Sequence, residues 1–360
     1  MKSALLFCLL FGLSASGAVA DVSAESPPDT EASPGTESNP DYWPELPQQP
    51  LLEDTVLKTE TRQVEVISPS EFKPVIRYNL PQLVEKRQTE ALAANNPHVL
   101  LPHRPNFILP LTYQTKPNNQ ELDRLVDGLS QGDGSEDSSG VADFEHLEAV
   151  MQLSIKYVLS EGLLTKFDRI EIAYTNKSFW QSYNSAISKP FRETNHEPEI
   201  MYSWQPGYHW VDHMGVSLNH QSNGQTSSLS RSWNRIILEG ASVVSSHSVW
   251  VGRVWWRIPE GKQADPFDPS DNDNPDIDDY LGYGELHYMR VYGNSNLSVM
   301  MRNNLEVDDN RGALELGWTF PLTRKIKGYF MYFNGYGDSL IDYNHYQERF
   351  GLGIKLSDWL

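Results

Sequence analysis

From about residue 103 onward, apolar and polar side chains alternate with a period of two, and this alternation restricts the chain to a small set of folds. Successive side chains of a β-strand point to opposite faces, so each alternating segment predicts a strand with one apolar and one polar face. Segments of about ten residues recur between polar, Pro, Gly, Asn or Asp breaks, which predicts roughly twelve strands joined as hairpins. Clear examples begin at the apolar residues Met151, Ile170, Met214, Leu297, Leu314 and Phe350.

Two all-β architectures fit this alternation. A soluble sandwich buries its apolar faces against a second sheet, whereas a membrane barrel turns them towards lipid and keeps a polar interior. The polar faces carry charges that a wet lumen tolerates, and Tyr and Trp residues cluster at strand ends, as in the aromatic belts of membrane proteins. We therefore expect an all-β fold, a twelve-stranded antiparallel transmembrane β-barrel over residues 101–360, with the sandwich as the alternative. The charges are Lys156, Glu171, Arg253, Glu285 and Arg302.

The first twenty residues have the pattern of a secretory signal peptide. Lys2 precedes an apolar run over residues 4–13, and small residues lead to an A-x-A-like cleavage site at Ala18-Val19-Ala20. The single cysteine, Cys8, lies within this segment, so the exported chain is expected to contain none. Disulfides, thiol catalysis and cysteine-based zinc sites are then excluded together. We expect residues 1–20 to be cleaved on export.

An acidic, proline-rich extension is expected over residues 21–100. Between residues 21 and 60 its composition is too acidic and too poor in apolar residues to offset the entropy of ordering, so most of it is predicted to be disordered. Residues 81–94 are compatible with a short helix within it. The formal net charge of the chain is −19, which argues against nucleic acid as a partner.

One predicted hairpin brings together side chains suited to nucleophilic catalysis. His220 and Ser222 are two residues apart, so on a strand they share a face, with Cα atoms about 6.6 Å apart. If the hairpin is centred near Ser227, Asn234 on the return strand lies opposite His220. Ser222, His220 and Asn234 then supply a nucleophile, a base and a residue that orients the base. An isolated His-x-Ser pair is more often an ordinary polar pair, and spacing alone leaves both interpretations open.

All three side chains are predicted to lie on the apolar outer face, because they share the parity of Leu218 and Ile236. Polar groups that face lipid cost free energy and need a functional reason. An activated hydroxyl on that face has one abundant substrate, the ester bonds of membrane phospholipids.

Six stretches of sequence are long and specific enough to compare with known families: 220–224, 230–235, 191–195, 273–277, 283–284 and 335–344. Together they resemble the outer membrane phospholipase A family of Gram-negative bacteria, over about residues 105 to 360. The resemblance implies a twelve-stranded antiparallel barrel in the bacterial outer membrane. It also implies calcium-dependent hydrolysis of both acyl esters of phospholipids and lysophospholipids, and activation as a homodimer paired through the lipid-facing sides of two barrels.

The same resemblance implies roles for single residues. Ser222 matches the nucleophile, His220 the general base and Asn234 the residue that orients His220. Backbone N–H groups near Ser222 and Gly224, together with calcium-bound water, would stabilise the oxyanion. Asn176 stands where members of the family often have a Gln that bonds across the dimer.

The resemblance also implies a calcium site, with Ca²⁺ as the cofactor. The ion of the active dimer would be held by the backbone carbonyl of Gln225, the hydroxyl of Ser230 and Ser188 of the partner subunit. Three protein oxygens leave room for water around an ion that prefers six to eight ligands. Asp273 matches a further calcium contact of the family. A ligand supplied by the second subunit would explain an inactive monomer.

Two other functions remain open at this point. One is a non-enzymatic outer membrane barrel, a narrow channel or structural protein with a degenerate site. The other is a soluble, secreted β-sandwich esterase. Release of fatty acid in the presence of calcium separates the enzyme from the non-enzymatic barrel, and fractionation with or without membranes separates a barrel from a sandwich.

Overall fold

The computed structural model describes residues 80–94, 96, 98–119, 143–165, 167–185, 191–208, 210–225, 229–261, 272–323 and 326–358. The expected signal peptide and the part of the acidic extension before residue 80 lie outside these ranges, and so does Ser188. The assignments made for them stay predictions.

Twelve long antiparallel strands of the described residues, β2 to β13, close into a barrel, which confirms the predicted fold. Each long strand pairs with its neighbours in sequence, and β13 pairs with β2 to complete the ring. Closure leaves no long edge unpaired, as a sheet in lipid requires. The strands are β1 (Leu101–Pro102), β2 (Asn106–Gln114), β3 (Leu147–Glu161), β4 (Arg169–Trp180), β5 (Glu193–Trp204), β6 (His213–Ser222), β7 (Ser232–Ser245), β8 (Ser248–Arg257), β9 (Gly284–Tyr292), β10 (Ser295–Asn303), β11 (Gly312–Pro321), β12 (Lys327–Gly335) and β13 (Gln347–Ser357).

Burial along the strands follows the period of two seen in the sequence. On β6 and β7 the even-numbered apolar side chains Val216, Ile236 and Leu238 are about two-fifths exposed on the outer face, at 38%, 41% and 43%. Their odd-numbered neighbours, among them Asn219 and Arg235, are buried in the lumen. The apolar faces therefore point outward and the charged faces inward, which is the barrel arrangement and not that of a sandwich.

Helix α1 (Pro81–Ala94) closes one end of the lumen, and its bounds are those that the sequence suggested. Leu80, directly before it, is fully buried and packs against Val243 and Met289 at the end of the barrel where β7 turns into β8. Glu90 of the helix forms an ion pair with Lys156 of β3 at 2.9 Å. In the described part of the chain, neither α1 nor the short helix α2 (Ile277–Leu281) is long and apolar enough to cross a membrane.

The loop between β12 and β13 fills the opposite end. Its backbone N–H groups at Leu340 and Ile341 donate to Asn195 and Glu193 of β5, each at 3.0 Å. Leu340 packs in a cluster with Trp233 of β7 and α2. Between the two plugged ends, the described residues leave lumenal cavities of about 150 and 180 Å³. Both cavities are lined by charged side chains, among them Arg104, Arg253 and Glu285.

Buried ion pairs fasten this loop to the wall. Asp338 bonds Nε of Arg349 at 2.6 Å, and Nζ of Lys177 lies 3.3 Å from the same carboxylate. Burial by itself would raise the pKa of Asp338, but the two cations outweigh it and lower that pKa to about 2. The loop is therefore held by a carboxylate that stays charged well into the acid range.

We expect Asp338→Asn to lower the free energy of unfolding by about 3 kcal/mol at pH 7, because Arg349 and Lys177 lose their shared counter-charge in a buried site. A carboxyl whose pKa is lower in the folded state contributes stability above its ordinary pKa and loses it as the pH falls through about 2. The difference between wild type and variant, measured by urea unfolding in lipid vesicles, should therefore shrink between pH 5 and pH 2.

Glu161→Gln is the matched control, since it neutralises a more exposed carboxylate, 32% accessible, that pairs with Arg169 at 2.6 Å. Its cost should be at most about 0.5 kcal/mol. Equal costs for the two variants would contradict the importance assigned to the buried cluster.

Candidate active site

The register of β6 and β7 places His220 directly opposite Asn234, as the sequence predicted, and Ser222 opposite Ser232. All four lie on the outer face, where the side chains of even number point. The side chains beneath them, inside the barrel, tie the two strands together. Nε1 of Trp233 donates to Oε1 of Gln221 at 2.7 Å.

His220 and Asn234 form a direct hydrogen bond. Nδ1 of His220 lies 2.8 Å from Oδ1 of Asn234. An amide oxygen only accepts, so Nδ1 of the ring carries the hydrogen and Nε2 keeps its lone pair. The imidazole is thereby held in the tautomer that a general base for a neighbouring hydroxyl needs.

The contact expected between Ser222 and His220 is not formed as a hydrogen bond among the described residues. The Ser222 hydroxyl instead accepts the N–H of Gly224 at 3.0 Å. Ser222 is the last residue of β6, and the chain then turns through Gly224 at φ 64°, which brings that N–H back to the hydroxyl. Catalytic hydrogen bonds are often long or poorly aligned in enzymes without substrate and tighten only when substrate binds.

Asn223 organises the turn that follows Ser222. It is buried, donates to the backbone oxygen of Leu229 at 2.8 Å, and accepts the backbone N–H of Arg231 at 2.9 Å. One side chain thus closes the loop between β6 and β7 and fixes the position of Gly224. Within the stretch 220–224, Asn223 therefore has a structural role, because its side chain both donates and accepts a backbone hydrogen bond.

Glu260 is a neighbour of this site that the sequence did not reveal. Its Oε1 accepts Nδ2 of Asn234 at 3.0 Å, and its Oε2 lies 3.3 Å from Arg257. Burial raises the pKa of Glu260, against the opposing influence of Arg257 and the Asn234 hydrogen bond. Because Glu260 lies 26 residues after Asn234 in a loop without strand periodicity, no spacing rule could have found it.

A second histidine also lies beside Ser222 and was missed. His196 of β5 is directly opposite Ser222 in the β5–β6 pair. Its Nδ1 is 2.6 Å from the hydroxyl of Tyr174 and 3.5 Å from Nδ2 of Asn176, both on β4. The polar stripe on the outer face therefore extends over four strands, which is costly in lipid unless the surface has a function.

Two of the predicted calcium ligands, Ser230 and Asp273, are in direct contact. The hydroxyls of Ser230 and Ser232 donate to Oδ2 of Asp273 at 2.6 and 3.2 Å, and Gln225 lies in the same loop as Ser230. Ser188 is outside the described residues. In the described ranges no group of three or more His, Cys, Asp or Glu side chains could hold a metal ion. Hydroxyl, carbonyl and single carboxylate oxygens are ligands that fit a hard cation such as Ca²⁺.

Another shared motif holds Asp273 in place. The side-chain oxygen of Asn274 accepts the backbone N–H of Ser232 at 2.9 Å, and Asn274 is fully buried. The segment that starts at Asp273 is therefore attached to the first residue of β7. This attachment brings a residue from the loop after β8 to the loop before β7.

Comparisons with known proteins find relatives that match most of the chain. The sequence profile of the phospholipase A1 family matches residues 83–356. A protein of Neisseria meningitidis serogroup B is 35% identical over 265 residues, which are 71% of this chain and 65% of that protein, so the match spans just under two thirds of that relative. The phospholipase A1 of Klebsiella pneumoniae is 33% identical over 270 residues, which are 73% of this chain and 84% of that protein.

A solved structure is similar to this chain in fold and in sequence. The outer membrane phospholipase of Salmonella typhi, solved as a dimer with bound calcium, is 30% identical and superposes with a TM-score of 0.63. The superposition covers 73% of this chain and 94% of that chain. The profile match over most of the chain and the identity to the Klebsiella protein together decide the relationship: this chain belongs to the phospholipase A1 family.

Proposed function

We propose that this protein is a calcium-dependent phospholipase of the bacterial outer membrane. It hydrolyses the acyl esters of phospholipids and lysophospholipids at both positions, with Ser222 as nucleophile, His220 as general base and Asn234 as the residue that orients the base. The observation that carries the proposal is the 2.8 Å hydrogen bond between His220 and Asn234 on the outer face, one residue pair from the Ser222 hydroxyl. Membership of the phospholipase A1 family supports the reaction class.

The chemistry follows from the tautomer of His220. Nε2 takes the proton of the Ser222 hydroxyl as its oxygen attacks the ester carbonyl carbon, and the imidazolium is stabilised by Asn234 at Nδ1. When the tetrahedral intermediate collapses, Nε2 returns the proton to the departing alcohol oxygen. Water then attacks the acyl-Ser222 ester by the same route and releases the fatty acid. A neutral Asn serves here because it fixes the ring as a carboxylate does.

The oxyanion needs positive charge that the hairpin itself provides only in part. The N–H of Gly224, which bonds the Ser222 hydroxyl at 3.0 Å, lies close to where the oxyanion forms. The Gln225 carbonyl, Ser230 and Ser188 of the partner subunit would hold Ca²⁺, which would supply further positive charge to stabilise the oxyanion. Asp273, bonded to Ser230, contributes a carboxylate to the same region.

A homodimer is the active state in this proposal. Tyr174, Asn176 and His196 continue the polar surface from the site across β4 and β5. A second barrel that covers this stripe would remove it from lipid and bring its own Ser188 to the calcium site. The Salmonella relative, solved as a dimer with bound calcium, supports a calcium-bound dimer. Membership of the phospholipase A1 family favours the enzyme over the competing non-enzymatic channel.

We expect Ser222→Ala to abolish fatty acid release, and His220→Gln to lower kcat by at least about 10³-fold, since general base and nucleophile act as one unit. His196→Gln tests the other histidine beside Ser222. Because His196 bonds Tyr174 and not Asn234, its loss should lower kcat by less than about tenfold.

The assay is release of fatty acid from detergent-dispersed phospholipid, with covalent labelling by a sulfonyl fluoride mapped to one serine. If His196→Gln were the inactive variant and His220→Gln the active one, the assignment of the base would be wrong. Full activity of Ser222→Ala would refute the mechanism.

We expect activity to disappear with a chelator and to return with added Ca²⁺. Asp273→Asn should raise the Ca²⁺ concentration needed for half-maximal activity by about tenfold, because the carboxylate beside Ser230 is lost. Asp308→Asn removes an exposed carboxylate from the loop after β10 and should leave the requirement unchanged. Chemical crosslinking, recorded in parallel, should show more dimer with Ca²⁺; activity that survives chelation contradicts the proposal.

A further inference from the structure

We infer that Glu260 is a positioning residue for this reaction, which acts through Asn234 to fix and polarise the orienting amide. The inference rests on the proposed function, because Glu260 matters to catalysis only if Asn234 orients the base. It extends the three-residue arrangement by a carboxylate from the loop after β8, at a place that no shared motif covers.

The first support is the geometry of a continuous chain of hydrogen bonds. Oε1 of Glu260 accepts Nδ2 of Asn234 at 3.0 Å, and Oδ1 of Asn234 accepts Nδ1 of His220 at 2.8 Å. The backbone N–H of Ile258 donates to the backbone oxygen of Asn234 at 2.8 Å, which prolongs the β7–β8 pairing towards Glu260. Glu260 is therefore held beside Asn234 by main chain as well as by side chain.

The second support is that Glu260 determines which end of the Asn234 amide faces His220. The two ends of an Asn side chain have nearly the same shape, but one only accepts hydrogen bonds and the other only donates. An ionised carboxylate accepts and cannot donate, so Glu260 requires the NH₂ end of Asn234 to face it. The oxygen must then face His220, and the ring keeps the tautomer in which Nε2 is free. A flipped amide would present NH₂ to His220 and favour the wrong tautomer.

The third support is the negative charge of the Glu260 carboxylate. A carboxylate that accepts from Nδ2 polarises the amide and makes its oxygen a stronger acceptor for the imidazolium that forms during attack. Asn234 thus gains part of the electrostatic effect that a direct carboxylate has in a Ser-His-Asp arrangement. Arg257, 3.3 Å from Oε2, holds the carboxylate in place and is also 3.6 Å from Asp278 of α2.

The decisive experiment is a double-mutant cycle with the full-length protein in detergent and Ca²⁺. Glu260→Gln keeps the size of the side chain and removes its charge. In the wild-type background it should lower kcat by roughly tenfold with KM unchanged, because Glu260 touches no substrate. In an Asn234→Ala background the same change should lower kcat by less than about twofold, since the residue through which it acts is already missing.

The rate of covalent labelling of Ser222 by a sulfonyl fluoride should follow the same pattern, because it reports activation of the nucleophile without turnover of lipid.

Asp278→Asn is the matched control. It removes a carboxylate from the other side of Arg257 and leaves the Asn234 contact intact, so kcat should match wild type. The heat-dependent shift in gel mobility of each variant verifies that the barrel is folded, and Glu260→Ala, if folded, should be at least as slow as Glu260→Gln.

An equal loss of kcat from Glu260→Gln in both backgrounds would overturn the inference, since it would mean a structural effect on the loop. A Glu260→Gln protein as active as wild type, alongside an inactive Ser222→Ala, would overturn it while the proposed function stands. If the folded wild type releases no fatty acid with Ca²⁺, the proposed function fails first, and that result is distinct from either of the others.

Discussion

The cross-strand register of β6 and β7 is the constraint on which the site depends. A slip of one residue would turn His220 and Ser222 into the lumen, because side chains alternate with a period of two. The lumenal side opposes such a slip. Trp233 donates to Gln221, and Arg235 stacks on the Trp233 ring with 4.0 Å between the guanidinium carbon and the ring centroid. Polar contacts inside the barrel thus hold the reactive groups in place outside it.

The inner and outer faces of the barrel have different roles. The interior contains ion pairs, α1 at one end and the loop after β12 at the other, and these contacts brace the wall from inside. Among the described residues, a polar stripe on β4 to β7 interrupts the apolar outer surface. A site on rigid strands is held more accurately than one on loops, which suits chemistry that needs a hydroxyl, an imidazole and an amide in a fixed arrangement. The loops add further contacts to the site, among them the hydrogen bond from Asn234 to Glu260.

Much of the fold and part of the site could be predicted without coordinates. Alternation of side chains predicted the strands, and the spacing of His220, Ser222 and Asn234 predicted both their common face and the pairing of His220 with Asn234. The rotamer of Ser222 could not be predicted in this way, because it depends on the turn through Gly224. His196 and Glu260 were missed for a related reason: each meets the site from another strand or loop, and no short spacing connects it to the hairpin.

The sequence by itself determined which residues face lipid and which face the lumen, since that follows from a period of two that is local along each strand. With a hairpin centred near Ser227, the sequence also predicted that an imidazole and an amide would face each other, and the strand register confirms this. Only the tertiary structure decided what surrounds that pair: the carboxylate on Asn234, the second histidine beside Ser222 and the two plugs of the lumen. Each of these contacts joins different strands or loops, and no short spacing along the chain predicts such a contact.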